Sequence, residues 1–382
     1  MRAAIVFDCV FPATAGGGER VYTRIAEELD SRGFSVDYLT RELPVDHEAR
    51  FRVVPVWNGE IYDADGNRTA VSAVRFAWGT YRHLRQNRRD YDLVIASTLP
   101  ALTILAAWAA LLGSRAFLVA DWLEVWPWRK WRSYAGRLTG TVAFVLQYLA
   151  ARIGRLHTVN SSFTAARLSR YRSSPAPLVL GLVDLVAAPT TRTEPSEIPL
   201  VLFVGRHIAD KRVTAIPAAL ALVRRTHPLA TAVIVGTGTE TAALEAAIVS
   251  AGVGAAVRLA GRVDDDELDR LFGAATVLLN PSAREGFGLV VAEAASHGTP
   301  SVVVTGEDNA AVDLIVGGIN GFVVASADAA DLADGVRSAI DGGAGLRAST
   351  LAWFETERVE RSLSRSVDEI VEIVERYTAS RG

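Results

Sequence analysis

Thr276–Val304 reads TVLLNPSAREGFGLVVAEAASHGTPSVVV, and the fold follows from it. Thr276–Leu279 and Ser301–Val304 are short apolar runs rich in β-branched residues, the pattern of buried strands. Between them lie a polar loop from Asn280 and a helix opening near Leu289. Strand, loop, helix and strand in succession predict a βαβ unit, hence a parallel sheet. The loop carries two carboxylates eight residues apart, Glu285 and Glu293. They are out of phase on one helix, yet Glu285 in the loop and Glu293 on the second turn can both face a ligand at the helix start. Carboxylates accept paired hydrogen bonds from vicinal hydroxyls, which a sugar ring and a ribose both present. After Gly286, the backbone N–H groups of Phe287, Gly288 and Leu289 suit phosphate oxygens. The plain alternative for Glu293 is a first-turn acid favoured by the helix dipole.

The same alternation extends in both directions. Upstream, strands are predicted at Ala3–Cys9, Ser35–Leu39, Phe51–Val56, Leu93–Ala96, Ala116–Ala120 and Leu156–Val159, with helices between them such as Arg20–Arg32. Ala188–Pro199 (APTTRTEPSEIP) has three prolines and no large apolar run, which marks a linker. Beyond it, strands at Leu200–Val204, Thr231–Val235 and Val257–Leu259 and helices near Thr241–Ser250 and Asp266–Phe272 build a second doubly wound sheet. From Glu355 to Tyr377 the apolar residues Val359, Leu363, Val367, Ile370, Val371 and Val374 form a helical stripe in a charged segment.

The chain has 382 residues, 50% hydrophobic and 22% charged, with a net charge of −3, enough for two packed cores and no global basic field for nucleic acid. A single cysteine, Cys9, excludes an intrachain disulfide and fits a reducing compartment. The first apolar run is short and leads into a glycine turn, so it reads as a strand rather than a secretory signal. Leu99–Ala120 is long enough to span a membrane, but Gly113, Ser114 and Arg115 divide it into a helix over 101–112 and a strand over 116–120. Among 40 basic residues only Lys130 and Lys211 are lysines.

Doubly wound sheets bind ligands beyond the carboxyl ends of their strands, which directs attention to four loops. Ala15-Gly16-Gly17-Gly18-Glu19 leads into a helix, and its glycines admit an anionic group close to the backbone or serve a positive-φ turn. Gly205-Arg206-His207-Ile208-Ala209-Asp210-Lys211 brings an arginine fork and a lysine point charge within reach of a diphosphate, against the alternative of solvated cations. The third loop holds Glu285. Asp121–Arg132 contains four of the eight tryptophans, Trp122, Trp126, Trp128 and Trp131, beside Lys130. That composition suits a membrane interface, an acceptor-stacking surface or an aromatic cap on the core. Asp121, at its strand end, is better placed for chemistry than the tryptophans.

Other patterns carry less. Gly236-Thr237-Gly238 lacks the third glycine of a dinucleotide fingerprint, Asp63-Ala64-Asp65 reads as a turn, and Asp264-Asp265-Asp266 reads as a helix cap. No histidine pair has metal-ligand spacing and no GxSxG elbow occurs.

Taken together, the chain resembles the retaining GT-B glycosyltransferases of the large GT4 group along nearly its whole length. The resemblance rests on Gly16–Arg20 (GGGER), His157–Leu168 (HTVNSSFTAARL), Gly205-Arg206 with Lys211, VGTGTE from Val235, LAGRVDDDEL from Leu259 and the Glu-x7-Glu segment from Asn280. It implies an α/β architecture of two Rossmann-like domains facing across a cleft: an acceptor domain over 1–187, a linker over 188–199, a donor domain over 200–350, and a helix over 351–382 crossing back to the first domain. It also implies transfer of a sugar from a nucleotide diphosphate sugar to a hydroxyl of a glycan, glycolipid or small-molecule glycoside. In that scheme Arg206 and Lys211 neutralise the leaving diphosphate, Glu293 holds the ribose and Glu285 the transferred sugar. The base lies near Arg262 and Val263, and Gly17 and Gly18 close the site. No metal or resident cofactor is expected.

Departures from the group's pattern accompany the matches. No histidine follows the fifth strand, where Ala120-Asp121-Trp122 stands instead, so Asp121 or the leaving phosphate must take the acceptor proton. Arg212 replaces the usual glycine after the lysine, Val290 a proline, and Val179-Leu180-Gly181 a Pro-Asn-Gly. The expected location is cytoplasmic, with peripheral contact at the inner membrane face through the tryptophan loop. Competing readings are a GT-B-fold nucleotide-sugar epimerase and a catalytically silent membrane-docking homologue.

Overall fold

A computed structural model describes residues 1–14, 16–42, 50–61, 69–172, 175–189 and 193–380. Asp63-Ala64-Asp65 and Ala15 lie outside the described residues. The chain divides into two compact units, residues 1–185 with 361–382, and residues 186–360.

The first unit is built on β1 (Arg2–Val6), β2 (Ser35–Arg41), β3 (Arg52–Trp57), β4 (Leu93–Ser97), β5 (Phe117–Trp122), β6 (Leu156–Val159) and β7 (Leu178–Val179). All pair in parallel, in the spatial order β3-β2-β1-β4-β5-β6-β7. Helices α1 (Gly17–Ser31), α2 (Ala70–Gln86), α3 (Ala101–Ala110), α4 (Trp128–Ala135), α5 (Arg137–Ala150) and α6 (Ser162–Leu168) occupy the connections. The second unit begins with β8 (Leu200–Val204), α7 (Ile216–Val223), β9 (Thr231–Val235), α8 (Thr241–Ser250), β10 (Val257–Gly261) and α9 (Asp265–Ala274). It continues through β11 (Val277–Asn280), β12 (Arg284–Glu285), α10 (Leu289–Ser296), β13 (Ser301–Val304), β14 (Asp308–Asn309), β15 (Gly321–Val324) and α11 (Ala329–Glu360), with a break inside α11 at Gly343. Its sheet runs β10-β9-β8-β11-β13-β15, and β12 pairs β14 apart from it.

Each sheet reverses its strand order beside its first strand, between β1 and β4 and between β8 and β11. In doubly wound folds the loops leaving the strands at such a reversal go to opposite faces, and ligands bind between them. Both cores are apolar: Ala4, Val6, Val94 and Ile104 with Phe76 and Trp122 in the first, Val201, Phe203, Ile234 and Leu279 in the second.

The Glu355–Tyr377 stripe is not one helix. α11 ends at Glu360 within the second unit, and α12 (Leu363–Ala379) starts afresh, with the Ser362 side chain accepting from the Arg365 backbone N–H. Val359 therefore falls outside the stripe and is exposed, whereas Leu363, Val367, Ile370 and Val374 are buried. At roughly 2 kcal/mol per buried aliphatic side chain, those four make α12 an integral part of the first unit. Arg32, just past the end of α1, grips it through Asp368 and the Ser364 carbonyl, and the Asp184 carboxylate accepts from the Leu363 N–H at 2.7 Å. Leu99–Ala120 divides into α3 and β5, and among the described residues no helix is long and apolar enough to cross a membrane.

Candidate functional site

The loops after β8 and β11 meet at the reversal point of the second sheet. The Ala283 N–H donates to the Asp210 carbonyl at 2.8 Å, and the Arg284 guanidinium lies 3.5 Å from the Asp210 carboxylate. This splice brings Lys211 to Glu285, 74 positions away in sequence, with Lys211 Nζ donating to Glu285 Oε1 at 2.5 Å. The same oxygen receives Ser282 Oγ at 2.9 Å and Asn280 Nδ2 at 3.2 Å. Three donors on Oε1 leave Oε2 to accept from a ligand hydroxyl. Both partners of the ion pair are largely buried, so the pair is less screened than a surface one. Arg206 stands exposed at the head of the loop that carries Lys211.

Behind Glu285 the support is buried. Asn280 and Ser282 are sequestered, and Asn309 Nδ2 donates to the carbonyls of Ser282 and Val304. The Ser282 hydroxyl lies 2.5 Å from Asn280 Oδ1 as well, so its one proton is shared between that oxygen and Glu285. Asn280, Ser282 and Asn309 are not singled out by local sequence, because a polar residue at a strand end looks like loop chemistry; only the Asn-Pro-Ser run hints at them.

After Glu285 the chain turns into α10 through Gly288, whose φ of 97° is left-handed. A Cβ there would lie 2.6 Å from that of Ala311, so both conformation and contact require glycine. Phe287 is buried, Leu289 opens the helix and Glu293 sits half-buried one turn later. Arg262 and Val263 follow β10, Arg262 exposed. His207 joins the β8 loop to the β9 loop: its N–H donates to Thr237, its carbonyl accepts from Glu240, and Nδ1 is 3.0 Å from Thr241 Oγ1. Burial pushes its imidazole below the ordinary value. Asp264 is a cap, accepting from the Glu267 N–H at 2.8 Å, which accounts for the triple-aspartate run. Arg212 adopts a left-handed conformation (φ 48°, ψ 34°), the geometry that favours the glycine it replaces.

In the first unit Gly17 and Gly18 lie in the first turn of α1 without positive φ. For Gly18 the value is closeness rather than turn geometry, since a Cβ there would sit 3.1 Å from Leu123 and 3.3 Å from Phe7. Asp121 differs from expectation. It is 1% exposed, and its two oxygens accept from Tyr22 of α1 and Thr158 of β6, each at 2.5 Å. Burial raises its carboxyl to about 6 despite the hydrogen bonds from Thr158 and Tyr22, which pull the other way. With both oxygens occupied, Asp121 ties α1 to β5 and β6.

The tryptophan loop does not offer one common face. Trp122 and Trp126 are buried; the Trp122 indole donates to His157 at 2.9 Å, and that of Trp126 to Glu124. Trp131 is half-buried and donates to Gln147, whose side chain also meets the backbone of Trp126, while Lys130 lies over the Trp126 ring. Trp128 is the exposed member of the four. Internal packing therefore accounts for the cluster: Trp126 and Trp131 meet at Gln147, Trp122 bonds His157, and Trp128 sets its ring against Phe144.

Comparison with known proteins agrees with this architecture. Residues 15–180 match the family model Glycosyltransferase Family 4, and residues 190–350 match Glycosyl transferases group 1. Over 155 residues the chain is 39% identical to glycogen synthase of Mycobacterium tuberculosis, covering 41% of this chain and 36% of that protein, well under two thirds of the relative's length. Sucrose-phosphate synthase from Thermosynechococcus elongatus superposes with a TM-score of 0.76 at 18% identity, over 99% of both chains. Anabaena Alr3699/HepE in complex with UDP and glucose does so with a TM-score of 0.70 at 19% identity, over 98% of this chain and 100% of the other. At such identities the likeness speaks to fold alone. With two family models matched end to end on two Rossmann-like units, the chain belongs to the group 1, family 4 glycosyltransferases of GT-B fold.

Proposed function

We propose that the protein is a retaining glycosyltransferase that moves a sugar from a nucleotide diphosphate sugar to an acceptor hydroxyl on a glycan, glycolipid or small-molecule glycoside. The observation that carries this reading is the Lys211–Glu285 pair on its Asn280–Ser282 base. A carboxylate fixed through one oxygen presents the other to a sugar hydroxyl, and a lysine beside it supplies a point charge for a departing diphosphate. Arg206 adds the second cation, the N–H groups of Phe287, Gly288 and Leu289 receive phosphate oxygens, and Glu293 accepts from the ribose. The base is assigned to the surface at Arg262 and Val263, and Gly17 and Gly18 are read as backbone donors for substrate. Complexes of a structural neighbour with UDP and glucose support a nucleotide-sugar donor.

In the reaction the bond from the anomeric carbon to the phosphate oxygen breaks as the acceptor oxygen bonds to the same face of that carbon. Burial of Asp121 leaves the departing phosphate as the base, so the acceptor proton passes to a phosphate oxygen. Two cations and the start of α10 stabilise the charge in this scheme without a metal ion.

A thermal-shift screen against nucleoside diphosphates and their sugars tests the donor site: a ligand at 100 times its dissociation constant stabilises the protein by about 2.7 kcal/mol. Stabilisation by one nucleoside diphosphate in the wild type, lost in Lys211→Ala, is expected. No response to any member of the panel, or an equal response in the variant, would remove the assignment.

A further inference from the structure

From Val125 to Val183 the chain contains no Asp or Glu, yet eight arginines and Lys130. Within that span α5 turns its hydrophobic face outward. Leu138, Val142, Val145 and Leu149 are 80%, 51%, 47% and 46% exposed, while Gly140, Gln147 and Ala150 face inward. Positions i, i+4, i+7 and i+11 share one helix face, so the four side chains form a single aliphatic strip about 16 Å long. Exposed arginines flank it in sequence, Arg137 opening α5 and Arg152 and Arg155 following it, and Arg129 is exposed on α4, which packs beside α5. The Arg152 guanidinium lies 3.4 Å over the Tyr148 ring, a pairing of cation and aromatic ring suited to a boundary between apolar and charged media. Neighbouring α3 adds Trp108 and, just past its end, Leu112, both exposed.

We infer that this α5 face docks on an anionic lipid bilayer. The aliphatic strip would enter the boundary between headgroups and acyl chains with α5 lying in the plane, and the flanking arginines would meet lipid phosphates. This surface differs from the tryptophan loop, whose rings are mostly spent on internal packing, and it stands independently of sugar transfer. Charge complementarity favours lipid: an acid-free span of 59 residues matches a surface that is uniformly negative.

Flotation of the full chain with phosphatidylglycerol-containing vesicles and with pure phosphatidylcholine vesicles tests the inference. The wild type should partition at least about tenfold more strongly to the anionic vesicles. Val142→Glu/Val145→Glu should lose about tenfold of that partition with its melting temperature unchanged, because both side chains already face water. Arg129→Ser/Arg137→Ser provides a second route to the same loss should the first variant fold poorly. Equal partition to both vesicle types, no partition, or variants that bind like wild type would overturn the inference. So would a wild-type dimer by light scattering that becomes monomeric in the glutamate variant without vesicle binding, which would make the face a protein interface.

Discussion

Asp121→Asn separates positioning from catalysis. In the folded chain the carboxyl titrates near 6, against an ordinary value of 3.8. The folded state therefore holds a proton that the unfolded state has already lost between those values, and stability falls as pH rises from about 4 to about 6. Above that window the full difference applies, about 3 kcal/mol at 1.36 kcal/mol per pH unit. Asparagine has no charge to bury, still accepts from Tyr22, and can donate to Thr158; one amide hydrogen left over returns about 1 kcal/mol. The variant should thus be about 2 kcal/mol more stable than wild type near neutral pH, and its advantage should shrink by about 1.4 kcal/mol on going from about pH 7.5 to about pH 5. Urea unfolding followed by tryptophan fluorescence is the assay, since seven of the eight tryptophans lie in the first unit. An advantage independent of pH, or a variant less stable at neutral pH, would refute the reasoning. Transferase turnover should remain within about tenfold of wild type, whereas a base at Asp121 would make the loss at least about a hundredfold.

Further outcomes follow from the same geometry. Lys211→Ala and Glu285→Ala should each lower turnover by about a hundredfold or more, read in a donor-hydrolysis or transfer assay, with far-ultraviolet circular dichroism unchanged. Ser282→Ala removes one of three donors from Glu285 Oε1 and should cost about tenfold in kcat, with KM for the donor little changed. Arg212→Gly should raise stability by up to about 1 kcal/mol by relieving a left-handed non-glycine residue; a loss on denaturant titration would contradict that. For Asp37, burial opposes ionisation, but hydrogen bonds from Arg52, Tyr91 and Arg2 prevail and hold its carboxyl at about 2. Its contribution, about 2 kcal/mol, is present above about pH 4 and lost as pH falls toward 2, so Asp37→Asn should destabilise at neutral pH and progressively less in acid.

Much of the architecture is legible in the order of residues along the chain, for reasons of periodicity. Buried parallel strands must be short apolar runs, their crossover helices must be amphipathic, and their ligand loops must follow the strands. Leu200–Val204, Thr231–Val235, Thr241–Ser250 and Ser301–Val304 are thus readable to the residue. Lys211 and Glu285 stand out as site candidates because a lysine among arginines and a carboxylate beside a glycine-rich turn are unusual choices at strand ends. What residue order does not reveal is burial and partnership across long separations. Asp121 has the strand-end position of an available acid, but α1 and β6 each bring a hydroxyl to it, from 99 and 37 residues away. The tryptophans have the composition of a surface, but α5 supplies Gln147, around which Trp126 and Trp131 pack, and β6 supplies His157 for Trp122. The apolar stripe before α12 has a continuous period, but the chain leaves one unit for the other at Arg361.

Local sequence thus determines two parallel sheets, the loops that serve them and the chemical types in those loops, because strand and helix periods are properties of neighbouring residues. Only the tertiary structure decides that Glu285 is gripped through a single oxygen, that Asp121 is sequestered and that α5 turns its aliphatic face outward. Those outcomes depend on which strands, helices and loops become neighbours across long separations in sequence, and that is settled by the packing of the whole unit.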